Sequence, residues 1–332
     1  MRSLSLLLLA ACGASPETDA ILAAKAVVGG GVDDLVDAAE ALQAAAPTPD
    51  DDGWSASADA AALDAMRAAW KDARTAYERV EGAIAELFPD LDASTDERYD
   101  GFLAEGADPD LFDGEGVTGV HAIERILWAD AIPAEVEAFE STLTGYVAAA
   151  FPADATQAGS FRDGLVQRLV DDTHAMRDAF EPLALDAAAA YGGVVGSMAE
   201  QTEKIALGAT GEAESRYARH TLADMRANLA GGLDIYEAFS PWILSTPDGD
   251  ALDGAVRDGF ARVAAAYDAL PGDALPEVPA TWSPDDPTEA DLATPYGTLW
   301  TLLLTESDPG AEGSLVAAMV AAGAAIGVDV AL

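Results

Sequence analysis

An apolar stripe with helical spacing constrains the fold of this chain more than any other feature of its sequence. Between residues 58 and 87, apolar side chains recur at intervals of three, four and seven positions: Leu63, Met66, Trp70, Tyr77, Val80, Ile84 and Leu87. This spacing places them on one face of an α-helix, which has to be buried against other helices. Aromatic residues make up only 7% of the chain and alanine dominates its apolar residues, which favours helices because alanine loses no side-chain entropy in them. We therefore predict an all-α protein.

The rest of the sequence predicts eight or more helices in two packed bundles. The predicted helical segments are residues 19–46 with a weak point at Gly29 to Gly31, 58–87, 118–128, 133–150, 155–207 with a break at Pro182, 212–239, 251–270, 289–306 and 313–326. An acidic loop, residues 88–116, interrupts this pattern and is long enough to indicate a functional role. We expect residues 19–210 to form the first bundle and residues 211–332 the second.

The N-terminus has the features of an export signal. Arg2 is followed by the apolar stretch from Leu4 to Ala11, which is too short to span a bilayer, and then by Cys12, the only cysteine. Leu9 to Cys12 resembles the bacterial lipobox, so residues 1–12 predict a lipoprotein signal peptide with Cys12 as the lipid anchor. An ordinary secretory signal with an incidental cysteine is the alternative. Either reading predicts an exported protein, and the first predicts one that is lipid-anchored in the periplasm or at the cell surface.

The charge balance is strongly acidic. The chain has 59 acidic and 17 basic residues, which gives a formal net charge of −42. Such a field repels nucleic acid and attracts cations. Because the acidic residues are spread over the whole sequence, charge alone does not locate a binding site.

The sharpest local motif is Gly-Val-His-Ala-Ile-Glu at residues 119–124. On a helix, His121 and Glu124 share one face, so an imidazole and a carboxylate can reach one ion from consecutive turns. Taken alone, the same spacing also fits an exposed pair on an amphipathic helix.

Four segments, residues 69–81, 96–98, 119–128 and 216–225, resemble the imelysin family, which includes the EfeO and EfeM iron-uptake proteins. The similarity in layout covers roughly residues 19–332, and the four segments carry its specific motifs. The resemblance implies helical bundles, a periplasmic or surface location, and a Gly-x-His-x-x-Glu motif at a metal site linked to iron acquisition.

Carried over residue by residue, the resemblance implies a metal site of five side chains. His121 and Glu124 match the family motif, Glu78 and Glu81 match its glutamates in the preceding helix, and Asp96 matches the aspartate of its acid-x-Arg turn. One imidazole with several carboxylates suits iron, manganese or zinc and is poor for Cu(I). We expect iron, as Fe²⁺ or Fe³⁺, with Zn²⁺ or Mn²⁺ as alternatives.

Two other histidines are weaker candidates. His220 and Asp224 lie where the chain departs from the family pattern, and we interpret them as a helix-surface pair. Asp171, His174 and Asp178 share a helical face, but nothing in the resemblance supports a site there, and such groupings arise by chance in an acidic chain.

A weak internal repeat is consistent with two related bundles. Five residues recur in type at a constant offset: Arg67, Trp70, Tyr77, Glu78 and Val80 as Arg257, Phe260, Tyr267, Asp268 and Leu270. Chance similarity between amphipathic helices explains this about equally well. If the repeat extends further, Leu299 and Leu302 replace the ligands of the His-x-x-Glu helix, which predicts a single metal site in the first bundle.

These features favour a metal-binding lipoprotein that captures iron at the cell envelope and passes it to an iron permease or another envelope protein. A metallopeptidase ranks lower, because helical zinc peptidases pair two histidines in His-Glu-x-x-His and this motif has one histidine and no such glutamate base. The third reading is a structural surface lipoprotein with a vestigial site, which predicts no metal affinity.

Overall fold

The computed structural model describes residues 15–49, 52–107 and 110–330, and within them the chain is helical with no β-strand. The prediction of an all-α protein is confirmed. The predicted signal peptide and the anchor residue Cys12 lie outside the described residues. No helix in the described part of the chain is both long and apolar enough to cross a membrane.

The described residues form sixteen α-helices and one π-helical segment. In chain order they are α1 Pro16–Ala45, α2 Ala60–Glu78, α3 Glu81–Leu87, α4 Pro89–Asp96, α5 Tyr99–Ala104, α6 Gly119–Leu127, α7 Ala134–Glu140, α8 Ala155–Ser160, the π-helix Phe161–Val166, α9 Gln167–Phe180, α10 Ala187–Ala199, α11 Gln201–Leu207, α12 Thr221–Leu244, α13 Gly249–Asp268, α14 Glu289–Leu292, α15 Pro295–Glu306 and α16 Leu315–Ala325. Side-chain oxygens of Ser15, Asp154, Asp186, Thr294 and Ser314 cap their helices by accepting backbone N–H groups.

The first helix runs through its glycines without a break, although Gly29 to Gly31 predicted a weak point. Two of the three glycines serve close packing instead. A Cβ atom at Gly31 would lie 2.3 Å from Val80 Cγ1, and one at Gly29 would lie 3.4 Å from the Phe180 ring. The missing side chains therefore let α1 approach its neighbours.

The predicted helix over residues 58–87 is divided in the structure. Helix α2 ends at Glu78 and α3 begins at Glu81, and α12 passes the break so closely that a Cβ atom at Gly231 would lie 1.9 Å from the carbonyl oxygen of Arg79. The predicted loop over residues 88–116 also contains two short helices, α4 and α5.

Two other helices begin or end elsewhere than predicted. The helix predicted for residues 133–150 ends at Glu140. The helix predicted to start at residue 212 starts at Thr221, because the backbone N–H groups of Tyr217 and Ala218 donate to the Glu124 carboxylate rather than to helix carbonyls.

Two apolar cores meet along α1 and α2. The N-terminal part of α1 and Tyr77 of α2 belong to the larger core, which also includes α10, α12, α13, α15 and α16 and so draws on both sides of residue 210. The C-terminal part of α1 and Trp70 of α2 belong to the smaller core with α6 and the π-helix. Arg74 lies between Trp70 and Tyr77 and is 0% exposed. The junction of the two cores is therefore polar, and a bundle boundary at residue 210 stays a prediction.

Candidate functional site

Helix α6 places His121 and Glu124 in the interior. Its first residue, Gly119, has a φ of +82°, and a Cβ atom there would lie 2.3 Å from the carbonyl oxygen of Thr95, so only glycine allows this approach to α4. His121 is 1% exposed and Glu124 is 0% exposed. The glycine of the Gly-x-His-x-x-Glu motif thus has a steric role, and the alternative of an exposed pair is wrong.

Glu124 fixes the orientation of the His121 ring. Its Oε2 lies 3.0 Å from His121 Nδ1, while its Oε1 accepts the backbone N–H groups of Tyr217 at 2.9 Å and Ala218 at 2.7 Å. Burial, and secondly the Arg74 guanidinium, lowers the pKa of His121. Burial raises the pKa of Glu124 despite its hydrogen bond to His121. The imidazole is therefore held in its neutral form, which is the form that binds metals.

Asp96 at the end of α4 faces the other side of the ring. Its Oδ1 lies 3.3 Å from His121 Nε2, and the same carboxylate forms an ion pair with Arg74. Burial raises the pKa of Asp96 to about 6, although Arg74 acts in the opposite direction.

Arg74 is the centre of a buried network of carboxylates. Its guanidinium forms ion pairs with Glu78 and Asp96, lies 3.3 Å from Glu214 Oε2, and has its Nε 3.7 Å from Asp224 Oδ2. Burial raises the pKa of Glu78 well above its ordinary value, and it raises the pKa of Asp224 to about 7. The free-energy cost of removing water from these carboxylates is thus larger than the attraction of Arg74 alone can offset.

Lys204 on α11 supplies the second positive charge. Its Nζ lies 2.8 Å from Glu214 Oε1, 3.0 Å from Glu81 Oε2 and 3.5 Å from Glu78 Oε2. Asn228 also donates a hydrogen bond to Glu81. Burial opposes ionisation of Glu214, but Lys204 and Arg74 hold its pKa at about 2.

The structure therefore brings the five side chains of the predicted site, His121, Glu124, Glu78, Glu81 and Asp96, into one cluster. Four further members were not predicted: Arg74, Lys204, Glu214 and Asp224. Oxygens of Glu78, Glu214 and Asp224 lie within 4.8 Å of one another, a spacing that one cation can bridge. Apart from the ion pairs with Arg74 and Lys204, the buried carboxylate of Glu78 has no hydrogen-bond partner among the described residues.

The interpretation of His220 and Asp224 as a helix-surface pair is wrong. Both are buried, at 4% and 0% exposure, because α12 packs against α2. His220 Nδ1 lies 3.4 Å from Asp273, outside the cluster, whereas Asp224 faces Arg74. His174 lies near the surface, where its Nε2 is 2.9 Å from Glu40.

An acidic cleft leads from the surface to the cluster. It has a volume of about 330 Å³, and six of its ten lining residues are acidic: Asp92, Asp96, Glu97, Glu200, Glu203 and Glu214. Lys204 also lines it. Such a cleft concentrates cations at its mouth, and it reaches the cluster at Asp96, Lys204 and Glu214.

The raised pKa values predict that the protein is more stable at pH 5 than at pH 7.5. In the unfolded chain the pKa of Asp224 and that of Asp96 return to about 3.8, whereas in the folded protein they are about 7 and about 6. The folded state therefore binds extra protons, and the resulting stabilisation is full below about pH 4 and lost as the pH rises through 6 to 7. We expect urea unfolding to show a gain on the order of 2 kcal/mol at pH 5.

Groups with lowered pKa values change the stability in the opposite direction, and a variant separates the two effects. Burial lowers the pKa of His121, and it lowers that of His220 from 6.5 to about 4, so the stability that these neutral histidines contribute is lost as the pH falls below 6.5. The stability that ionised Glu214 contributes is lost only below pH 4.5. Asp224→Asn is expected to reduce the difference between pH 5 and pH 7.5, whereas Asp234→Asn, on an exposed side chain, leaves it unchanged. Equal or lower stability of the parent protein at pH 5 would contradict the pKa argument.

Comparisons with a family model and with curated proteins point to the same family. The Imelysin family model, of peptidase class M75, matches residues 30–297. The iron uptake system component EfeO of Yersinia pseudotuberculosis serotype I (strain IP32953) is 33% identical over 168 residues, which are 51% of this chain and 35% of that protein. EfeO of Escherichia coli (strain K12) is 27% identical over 179 residues, 54% of this chain and 38% of that protein. The matched region thus spans little more than a third of these curated relatives.

A solved structure shares the fold. The crystal structure of an imelysin-like protein from Psychrobacter arcticum 273-4 superimposes with a TM-score of 0.52 over 96% of this chain and 99% of that one, at 16% sequence identity. At this level of identity the similarity supports the architecture of helical bundles and carries no information on ligands.

Proposed function

This chain belongs to the imelysin family, and we propose that it binds an iron ion as cargo and serves iron uptake at the cell envelope. Its relatives in Yersinia and Escherichia are named as components of an iron uptake system, which supports this role. On the sequence features of residues 1–12, the protein is exported and anchored by lipid on Cys12, close to an iron permease or another envelope partner. Fatty-acid labelling of the expressed chain, with Cys12→Ala as the control, tests the anchor.

The observation that carries the proposal is the imbalance of charge in the buried cluster. The cluster contains one imidazole, two cationic side chains, Arg74 and Lys204, and six carboxylates: Glu78, Glu81, Asp96, Glu124, Glu214 and Asp224. Burying unpaired carboxylates costs several kcal/mol each, so a purely structural network would be expected to balance its charges. A multivalent cation supplies the missing positive charge.

The donor atoms fit iron by their chemistry. Carboxylate oxygens with one imidazole nitrogen suit hard or borderline ions such as Fe²⁺, Fe³⁺, Mn²⁺ and Zn²⁺. Glu124 binds the Nδ1 side of His121, which leaves Nε2 facing Asp96 as the ligand nitrogen. In this proposal His121, Asp96, Glu78 and Glu81 are ligands, Glu214 and Asp224 add oxygens, and Glu124 positions the imidazole, as carboxylates do beside many metal-binding histidines.

Titration of the soluble form tests the proposal. Residues 13–332 are titrated without oxygen with Fe²⁺, and in parallel with Mn²⁺ and Zn²⁺, by calorimetry in 150 mM NaCl, which screens weak binding to the acidic surface. We expect one ion per chain, a Kd of about 1 μM or tighter for Fe²⁺, and a higher melting temperature when the ion is bound. Absence of stoichiometric binding at this ionic strength would reject the proposal and favour a structural lipoprotein.

A further inference from the structure

We propose that the ammonium group of Lys204 occupies the position that an incoming metal ion takes, so that the ion has to displace it. This inference rests on the proposed function, because it concerns the same site. It makes Lys204 the residue that sets the charge selectivity and the affinity of that site.

The surroundings of Lys204 are those of a bound cation. Its Nζ has carboxylate oxygens on several sides: Glu214 Oε1 at 2.8 Å, both oxygens of Glu81 at 3.0 and 3.1 Å, and Glu78 Oε2 at 3.5 Å. The side chain is 3% exposed. A transition-metal ion needs the same oxygens at about 2 Å, the distance at which Zn²⁺ binds carboxylates, so the ammonium group and the ion cannot share them.

Of the two buried cations, Lys204 is the one with a path outward. Arg74 is held by four carboxylates around a planar guanidinium and is fully buried. Lys204 instead lines the acidic cleft and carries its charge on a flexible four-carbon stem. Glu200 and Glu203 are exposed, line the same cleft and lie within one turn of Lys204 in the sequence. An ammonium group that moves outward therefore finds new carboxylate partners.

This exchange selects ions by charge. A monovalent ion that replaces the ammonium group exchanges one positive charge for another and gains no Coulomb energy, whereas a divalent or trivalent ion adds charge among the same carboxylates. Sodium and potassium are thereby excluded without a size filter. The cost of displacing Lys204 also weakens the binding of multivalent ions, and this favours their release to a partner.

The first test removes the charge and keeps the stem. Lys204→Met is titrated with Mn²⁺, which is stable in air, beside the parent protein and Lys71→Met. Lys71 is a matched control because it forms an ion pair with Asp273 at 3.1 Å outside the cluster. We expect Lys204→Met to bind Mn²⁺ at least tenfold more tightly than the parent and Lys71→Met to stay within twofold. Weaker binding by Lys204→Met would overturn the inference.

The second test uses the parent protein and does not depend on the folding of a variant. Amines are acetylated briefly with and without saturating Mn²⁺, and the peptides that contain Lys204 and Lys71 are quantified by mass spectrometry. We expect acetylation of Lys204 to rise at least fivefold with Mn²⁺ and that of Lys71 to stay constant. If Mn²⁺ binds and Lys204 stays protected, the displacement is wrong while the proposed function stands. If the parent binds neither Mn²⁺ nor Fe²⁺, the proposed function fails and this inference fails with it.

Discussion

Replacing His121 with alanine is expected to weaken Fe²⁺ binding by more than about 100-fold, because this change removes the one imidazole that faces the carboxylate cluster in the described part of the chain. Loss of a group that only orients a ligand typically costs 10- to 100-fold in metal affinity, and loss of a ligand costs more. Glu124→Gln, which alters the partner of His121 Nδ1, is therefore expected to fall between His121→Ala and the parent. Anaerobic calorimetry measures all three.

His174→Ala is the matched control for this prediction. His174 also has a carboxylate partner, Glu40 at 2.9 Å, but its side chain is 33% exposed and lies outside the cluster. Its replacement is expected to leave Fe²⁺ affinity within twofold of the parent. If both histidine variants bind iron as the parent does, the ion is held elsewhere and the cluster is a structural network.

The sequence predicts the helices well where one apolar face decides the outcome. The stripe from Leu63 to Tyr77 is buried as expected, because its spacing leaves a single face to cover. The sequence predicts the helices poorly where contacts with other helices determine whether a helix continues. Gly29 to Gly31 look like a break in a lone helix, yet Gly29 leaves space for the Phe180 ring and Gly31 leaves space for Val80. The sequence around these glycines does not show which side chains of other helices pack against them.

In the candidate site too, residues that are close in sequence could be predicted, whereas residues brought in by tertiary contacts could not. His121 and Glu124 are recognisable because they lie one turn apart on one helix, and Arg74 lies four residues before Glu78, a spacing that favours an ion pair. Glu214 is different, since it lies in a segment whose helical pattern is overridden by contacts with Glu124. Its approach to Lys204 and Arg74 depends on the folded chain, and local sequence patterns carry no signal for it.

Arg74→Met is expected to lower the free energy of unfolding by about 3–5 kcal/mol at pH 7.5, the usual cost of removing one partner from a buried ion pair. Arg74 is 0% exposed, and the substitution leaves Glu78, Asp96 and Asp224 without their shared cation. Urea unfolding of the metal-free protein measures the effect. Arg79→Met is the control, because Arg79 pairs with Asp234 on the surface and such pairs contribute at most about 1 kcal/mol.

The pH dependence of this loss distinguishes two states of the cluster. If the carboxylates around Arg74 are ionised at pH 7.5, removing the guanidinium forces them to take up protons, and the loss becomes smaller at pH 5, where protons are more available. An unchanged stability of Arg74→Met at pH 7.5 would mean that the carboxylates are already protonated in the parent protein. The charge imbalance that carries the proposed iron site would then be absent, because a neutral cluster has no need of a metal ion.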